Sequence, residues 1–363
     1  MQLENFNRQI LLSEIGIDGQ LKLFKAKILV IGMGGLGCPV AQSLVAAGIG
    51  TIGIVDYDII EASNLHRQML YYSDDVGKRK IDVAKKRLQK INSDVRIIAH
   101  YLKICTENIL QLIDNYDIVI DCTDNFNTKY CINDACYLTN KTLIYGSVSQ
   151  FSGQIAVFFV NSDDKINYRD IFPKQPSESE ICNCNELGVM GTSCQIIGNF
   201  QAMEAIKIVL GNESVLNNKL LIYNTMNYNQ NVIDLQKNPN STIFQPQSIK
   251  SFLNHNYQSN KNLNRQFEID INELNNYSLD EIQIIDIREL DEIPIINNDI
   301  VKKIPQNILD NDTLNSNDKV KIIVCQSGKR SFEFVKNNYQ KTNRKMLSLY
   351  GGINELIHYF DGK

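Results

Sequence analysis

No apolar run in these 363 residues is long enough to cross a bilayer. The longest, around Leu36–Ile49, is short and broken by Gln42 and Ser43. Polar residues interrupt Met1–Gln20, so no secretory leader is expected, and a cytoplasmic location is. Positive charge is not in excess. Thirty-seven Lys and Arg stand against 41 Asp and Glu, a net −4, which argues against nucleic acid or an anionic membrane as the main partner. Histidine is scarce, at four, and His66 has no metal-binding companions beside it, so packing or hydrogen bonding is its plainer use. No internal repeat is present. Sulfur is plentiful, with nine cysteines. They are scattered and odd in number, so reduced thiols are expected. Cys38, Cys122, Cys131, Cys136 and Cys194 read as buried apolar fillers, and Cys105 carries no signal.

The length suits two domains. Residues 1–26 read as a helical arm carrying Asn7-Arg8-Gln9-Ile10. Strands and helices then alternate: strands at 27–31, 51–55, 96–101, 117–121 and 142–147, with helices at 36–47, 78–91, 106–113 and 127–138. Continuous apolar strands between helices predict an α/β fold, a mostly parallel sheet covered on both faces. Gln154–Val160 reads as an antiparallel addition, 190–210 as a helix, and 220–235 as a last strand pair. Residues 236–265 are rich in Asn, Gln and Ser and read as a linker. A small α/β unit follows over 266–363, with strands at 282–287 and 320–325 and a helix at 352–360.

The most informative stretch is Gly32-Met-Gly34-Gly35-Leu-Gly37, directly after strand 27–31. A strand, a glycine turn and a helix make a phosphate cradle: backbone N–H groups face the anion and the helix dipole favours it. The Rossmann-like fingerprint continues with Asp56, placed to hold ribose hydroxyls. Taken alone, that fingerprint also fits an NAD-dependent oxidoreductase. Asn64, Arg67, Gln68, Lys80, Asp124 and Asn125 fall on the same sheet edge. Cations, glycines and an isolated Asp suit a triphosphate with magnesium.

Gly32–Pro39, Asp56–Gln68, Lys80 and Asp121–Asn125 together resemble the HesA/MoeB/ThiF family, relatives of ubiquitin-activating enzymes, over about residues 4–235. The resemblance implies ATP-dependent adenylation of the C-terminal Gly-Gly of a ubiquitin-like sulfur carrier, of the kind serving molybdenum cofactor or thiamine synthesis. It implies that Gly32, Gly34 and Gly35 hold phosphates and Asp56 the ribose. Ser63, Asn64, Leu65, His66, Arg67, Gln68, Lys80 and Asn125 meet the nucleotide, Asp124 binds Mg2+, and Arg8 reaches the second site of a homodimer. The same residues have plainer readings: a surface arginine for Arg8, a solvated helix charge for Lys80, a helix N-cap for Asp124.

Many members of that family carry a zinc on two Cys-x-x-Cys pairs. Here the first pair's stretch reads Asn167-Tyr168-Arg169-Asp170-Ile171-Phe172-Pro173, and no cysteine lies between Cys194 and Cys325. Four good ligands are missing, so no structural zinc is expected. Cys184, preceded by Cys182, aligns with a family cysteine that in some members bonds the carrier.

Cys325-Gln-Ser-Gly-Lys-Arg330-Ser331 follows a strand and opens a helix, an anion nest able to hold a thiolate or persulfide. With Asp286-Ile-Arg288 and Gly351-Gly352 it resembles rhodanese-type sulfurtransferases. Gln326 stands where that family has arginine, and Lys303-Ile-Pro305-Gln306 is a degraded signature, so a silent second domain is the rival reading. The joint expectation is a carrier adenylate formed in the first domain. Persulfide sulfur on Cys325, supplied by a donor such as a cysteine desulfurase, then converts it to a thiocarboxylate.

Overall fold

The computed structural model describes residues 2–160, 166–176, 188–257, 266–278, 280–296, 298–314, 318–339 and 345–361. The chain divides into two compact units after residue 259.

The first unit is built on an eight-stranded sheet. Its strands are β1 (Lys27–Ile31), β2 (Thr51–Asp56), β3 (Arg96–Tyr101), β4 (Ile118–Asp121), β5 (Thr142–Ser149), β6 (Ser152–Phe158), β7 (Lys219–Asn224) and β8 (Gln230–Asp234), in the order β3-β2-β1-β4-β5-β6-β7-β8. The first five in that order are parallel and the last three join antiparallel. This is the Rossmann-like sheet with an antiparallel extension that strand-helix alternation predicts. β1 shows why its apolar run is unbroken. Ile28 and Val30 enter one core and Leu29 and Ile31 the other, one on each face of the sheet. Each such side chain contributes about 1.5–3 kcal/mol of burial.

Register places the site. Ile31 lies opposite Val55 on one side and Asp121 on the other. Gly32, Asp56 and Cys122–Asn125 therefore emerge side by side at the carboxyl edge of the sheet, where ligands bind in such folds. Helix Gly37–Ala47 starts at this edge and closes on Gly48, in left-handed conformation.

Residues 236–257 depart from the expected linker. They form short helices at Ser241–Phe244 and Ile249–Leu253 and pack on the first unit. Phe252 is fully buried and Tyr257 nearly so, both in the core cluster that holds Ile31. Asn238 donates its backbone N–H to Asp170 at 2.9 Å, and Lys237 pairs with the same carboxylate at 3.1 Å. The polar composition that reads as loose chain is spent on hydrogen bonds and ion pairs. Residues 258–265, the rest of that stretch, lie outside the described residues.

The second unit carries a parallel sheet of β9 (Glu268–Ile269), β10 (Ile282–Asp286), β11 (Val301–Lys303), β12 (Val320–Val324) and β13 (Met346–Leu349), ordered β11-β10-β12-β13-β9. Alternate residues again divide between two small cores: Ile284 and Ile322 in one, Ile285 and Ile323 in the other. Among the described residues no helix is long and apolar enough to cross a membrane.

Candidate active site

The glycine turn after β1 is dictated by space. Gly32 has φ +92° and a Cβ there would meet the carbonyl of Cys122 at 2.8 Å. A Cβ on Gly37 would lie 1.8 Å from the Gly32 carbonyl oxygen. Side chains at either position would break the turn. The turn opens on a cavity of about 750 Å³. Gly32, Gly34, Gly35, Asp56, Lys80, Asp124 and Asn125 line it. Ser63, Asn64, His66, Arg67 and Gln68 complete it.

Not every expected residue is there. The Leu65 side chain is absent from the wall and packs against the core behind it. Arg8 is exposed on the N-terminal arm and does not line its own chain's cavity. Cys182 and Cys184 lie outside the described residues. Asp124 is not the cap of helix Phe126–Thr139; Asn125 is, its side chain accepting from the Thr128 N–H at 2.9 Å. That leaves the exposed Asp124 carboxylate facing the cavity.

Electrostatics at the wall are tightly set. Asp56 accepts N–H bonds from Met33 at 2.7 Å and Asp58 at 2.8 Å. Burial pushes its carboxyl up, against the pull of Lys80 and these N–H groups. Lys80, almost fully buried, donates to Asp58 at 2.8 Å. Burial disfavours its ammonium, but Asp56, Asp58 and Asp124 outweigh that and hold its pKa above the ordinary value. Arg67 donates to the Ser63 carbonyl at 2.8 Å. Gln68, 3 % exposed, has a buried Oε1 with no hydrogen-bond partner among the described residues. A buried acceptor left open beside Gly34 can take a hydrogen bond from a donor on a bound molecule.

Sequence reading left several lining residues unassigned. Asp58 lines the cavity, and so does Cys194, expected as a core filler. The Cys194 thiol is buried against Gly35, and burial pushes it up to about 11, so it is a packing thiol. Leu102 and Ile104, just past β3, add an apolar wall. Only their place after a strand end could have signalled them.

A second cavity of about 250 Å³ shares Asp124, Ser147 and Val148 with the first. Tyr145, Tyr168 and Phe172 line it, as does Lys129. Lys129 bridges Asp121 at 3.1 Å and the Gly146 carbonyl at 2.8 Å, tying β4 to β5 beneath Asp124.

The stretch that the resemblance assigns to zinc is occupied by a polar cluster. Asn167 and Asp170, at the two positions expected of sulfur, cap each other at 3.1 Å between Nδ2 and Oδ2. Asp170 then takes Lys237 and Asn238. Among the described residues no group of three or more His, Cys, Asp or Glu could hold a metal ion. Magnesium needs no such cage, since it binds one or two carboxylates and keeps phosphates and water for the rest. Asp124 fits that use.

In the second unit Cys325 follows β12 and is fully buried. Its sulfur accepts from the Ser331 N–H at 3.4 Å and the Ser331 hydroxyl at 3.5 Å. Arg288 is locked on Asp286 and donates to Gln326 at 2.7 Å. Arg330 grips Glu292 with two bonds, at 2.8 and 2.6 Å.

Comparison with known proteins puts these sites in context. The model described as ThiF family matches residues 6–243. Adenylyltransferase and sulfurtransferase MOCS3 of Aedes aegypti is 46% identical over 222 residues, 61% of this chain and 50% of that protein. The chain thus spans about half the length of these first relatives. Sulfur carrier protein adenylyltransferase of Thermus thermophilus is 41% identical over 67% of this chain and 90% of its own. Probable adenylyltransferase/sulfurtransferase MoeZ of Mycobacterium tuberculosis is 32% identical over 97% of this chain and 92% of its own. Among solved structures, E. coli MccB with AMPCPP and MccA matches at TM-score 0.53 and 26% identity, over 61% of this chain and 67% of that one.

Proposed function

This chain belongs to the ThiF family, and on that premise we propose that it adenylates the C-terminal carboxylate of a small ubiquitin-like sulfur carrier and then converts it to a thiocarboxylate. The single observation that supports this most is the clustering of Asp56, Lys80, Arg67, Gln68 and Asp124 around one glycine-walled cavity of about 750 Å³.

In this reading ATP is a substrate. A carboxylate oxygen attacks the α-phosphorus, the bond to the leaving pyrophosphate breaks, and an acyl-adenylate forms. Both reactants are anions, so repulsion is the first obstacle. Lys80 and Arg67 supply positive charge at the cavity wall, and the backbone N–H groups of the glycine turn add partial charge. Asp124 would hold a magnesium ion, which screens phosphate charge. Asp56 orients the ribose. No side-chain nucleophile is needed, because positioning and charge suffice. The second cavity, reached past Asp124, takes the extended Gly-Gly tail. Arg8, exposed beside the apolar Leu11 and Leu12, serves the cavity of a second copy in a homodimer.

Sulfur transfer belongs to Cys325. A persulfide on its sulfur, supplied by a donor such as a cysteine desulfurase, attacks the acyl carbonyl and expels AMP. A second thiol, which we assign to Cys184, attacks the resulting acyl disulfide at the Cys325 sulfur. The carrier thiocarboxylate leaves and the two cysteines are left as a disulfide, which a cellular thiol reduces. The Ser331 N–H and hydroxyl aimed at the Cys325 sulfur support this, as does the match of MoeZ along nearly the whole chain.

The test is ATP–pyrophosphate exchange with candidate carriers ending in Gly-Gly. Exchange that needs both carrier and Mg2+ is expected, and Asp124→Asn should lower it about 10²–10³-fold. Hydride transfer without ATP use, or no exchange with any carrier, would overturn the reading.

A further inference from the structure

The cavity contains a carboxylate that a polyphosphate should not welcome. Asp58 sits on its wall, half exposed, two residues past Asp56. A bare negative charge there would repel an incoming triphosphate. It is not bare: its Oδ2 lies 2.8 Å from the Lys80 ammonium, whose side chain is only 7% exposed. The pairing is built into the backbone. Asp58 donates its N–H to Asp56, and Lys80 donates its own N–H to the Asp58 carbonyl at 3.0 Å. Asp56, whose oxygens accept N–H groups from Met33 and Asp58, acts on Lys80 by charge, while Asp58 takes the hydrogen bond from its ammonium. A buried ammonium without such a partner would be costly.

We propose that Asp58 is the resting counter-ion of Lys80, a positioning residue that holds the ammonium at the cavity wall and yields it to the nucleotide's phosphates on binding. The inference rests on the reading that this cavity takes ATP. Phosphate and Asp58 then compete for one cation, so Asp58 sets nucleotide affinity through Lys80 and not by touching the nucleotide. A purely structural Asp58 would lower stability and leave that competition unseen.

The experiment is calorimetric titration of Mg·ATP into the full chain as wild type, Asp58→Asn, Lys80→Gln and the double variant, with adenosine as a control ligand. Asp58→Asn should tighten ATP about three- to tenfold and leave adenosine unchanged. Lys80→Gln should weaken ATP, and adding Asp58→Asn to it should tighten ATP by less than the single variant does, because only the screened repulsion of a half-exposed carboxylate is left to relieve. Equal tightening in both backgrounds would mean simple repulsion and overturn the proposal, as would no tightening in the single variant. Asp58→Glu keeps the counter-ion and should bind ATP within about twofold of wild type. Should Lys80→Gln fail to fold, Lys80→Met takes its place in the cycle, and tightening by Glu as well as Asn also overturns the proposal. Wild type that binds no ATP refutes the nucleotide reading itself, whereas wild type that binds with an uncoupled cycle refutes only the role of Asp58.

Discussion

Arg169 holds Asp134 with two parallel bonds, Nε to Oδ1 at 2.8 Å and Nη2 to Oδ2 at 2.7 Å, and neither residue reaches solvent. The Tyr257 hydroxyl donates to the same Oδ2 at 2.6 Å. One carboxylate therefore joins helix Phe126–Thr139, the short helix Tyr168–Ile171 and the segment that ends the first unit. A bidentate guanidinium in a sealed site is strong only while both partners remain. We predict that Arg169→Ala lowers stability by about 3–5 kcal/mol, because it strands the Asp134 charge. Denaturant unfolding followed on the first unit checks it. A loss under about 1 kcal/mol would mean that the pair is not the anchor its geometry implies.

The docked segment 236–257 makes a second case. Phe252 is fully buried in the core cluster that holds Ile31, although the segment around it is rich in Asn, Gln and Ser. Phe252→Ala should cost about 3–5 kcal/mol, and a chain ending at 235 should lose more. A true linker would tolerate both changes. Thermal melting of the full chain carrying Phe252→Ala distinguishes the two.

These elements show where sequence reading stops. The parallel strands were legible because apolar runs bounded by glycine turns have few alternatives in a two-faced sheet. The cavity of the first unit was legible because its glycines and Asp56 sit at strand ends fixed by register and Lys80 opens a helix at the same edge. Phe252 and Tyr257 were not, since the apolar residues of 236–257 are spread among Asn, Gln, Ser and Pro and show helical spacing over a single turn only, at Ile249, Phe252 and Leu253. Lys129 looks like any helix lysine until β4 and β5 bring Asp121 and Gly146 against it. Asp58 escaped notice because its meaning lies in a partner 22 positions away.

Glu292 carries a pH prediction. The hydrogen bond from Arg330 comes first among the causes that hold its carboxyl down, to about 2. A depressed carboxyl stabilises the fold above its unfolded value, near 4.5, and loses that contribution as pH falls through about 2. Glu292→Gln should make the second unit less stable above pH 4.5, equal to wild type below about 2, and flatter between. Acid titration of stability in both forms measures it. Parallel wild-type and variant curves would show that the Arg330 pair is broken in solution.

Gly352 offers the sharpest separation of the two proposed activities. Its φ is +64°, and a Cβ there would lie 2.2 Å from the Cys325 carbonyl oxygen. The next residue, Ile353, donates its N–H to that same oxygen at 2.9 Å. Gly352→Ala must therefore push back the loop carrying Cys325, besides about 1–3 kcal/mol of backbone strain. Gly352 is not among the residues that line the cavity of the first unit. Thiocarboxylate formation should fall at least about tenfold while carrier-dependent pyrophosphate exchange stays within about twofold. Cys325→Ser should give the same split without the loss of stability, because it removes the sulfur and leaves the turn intact. If thiocarboxylate forms as fast in Cys325→Ser as in wild type, the sulfur is delivered by another route and the second unit is catalytically silent.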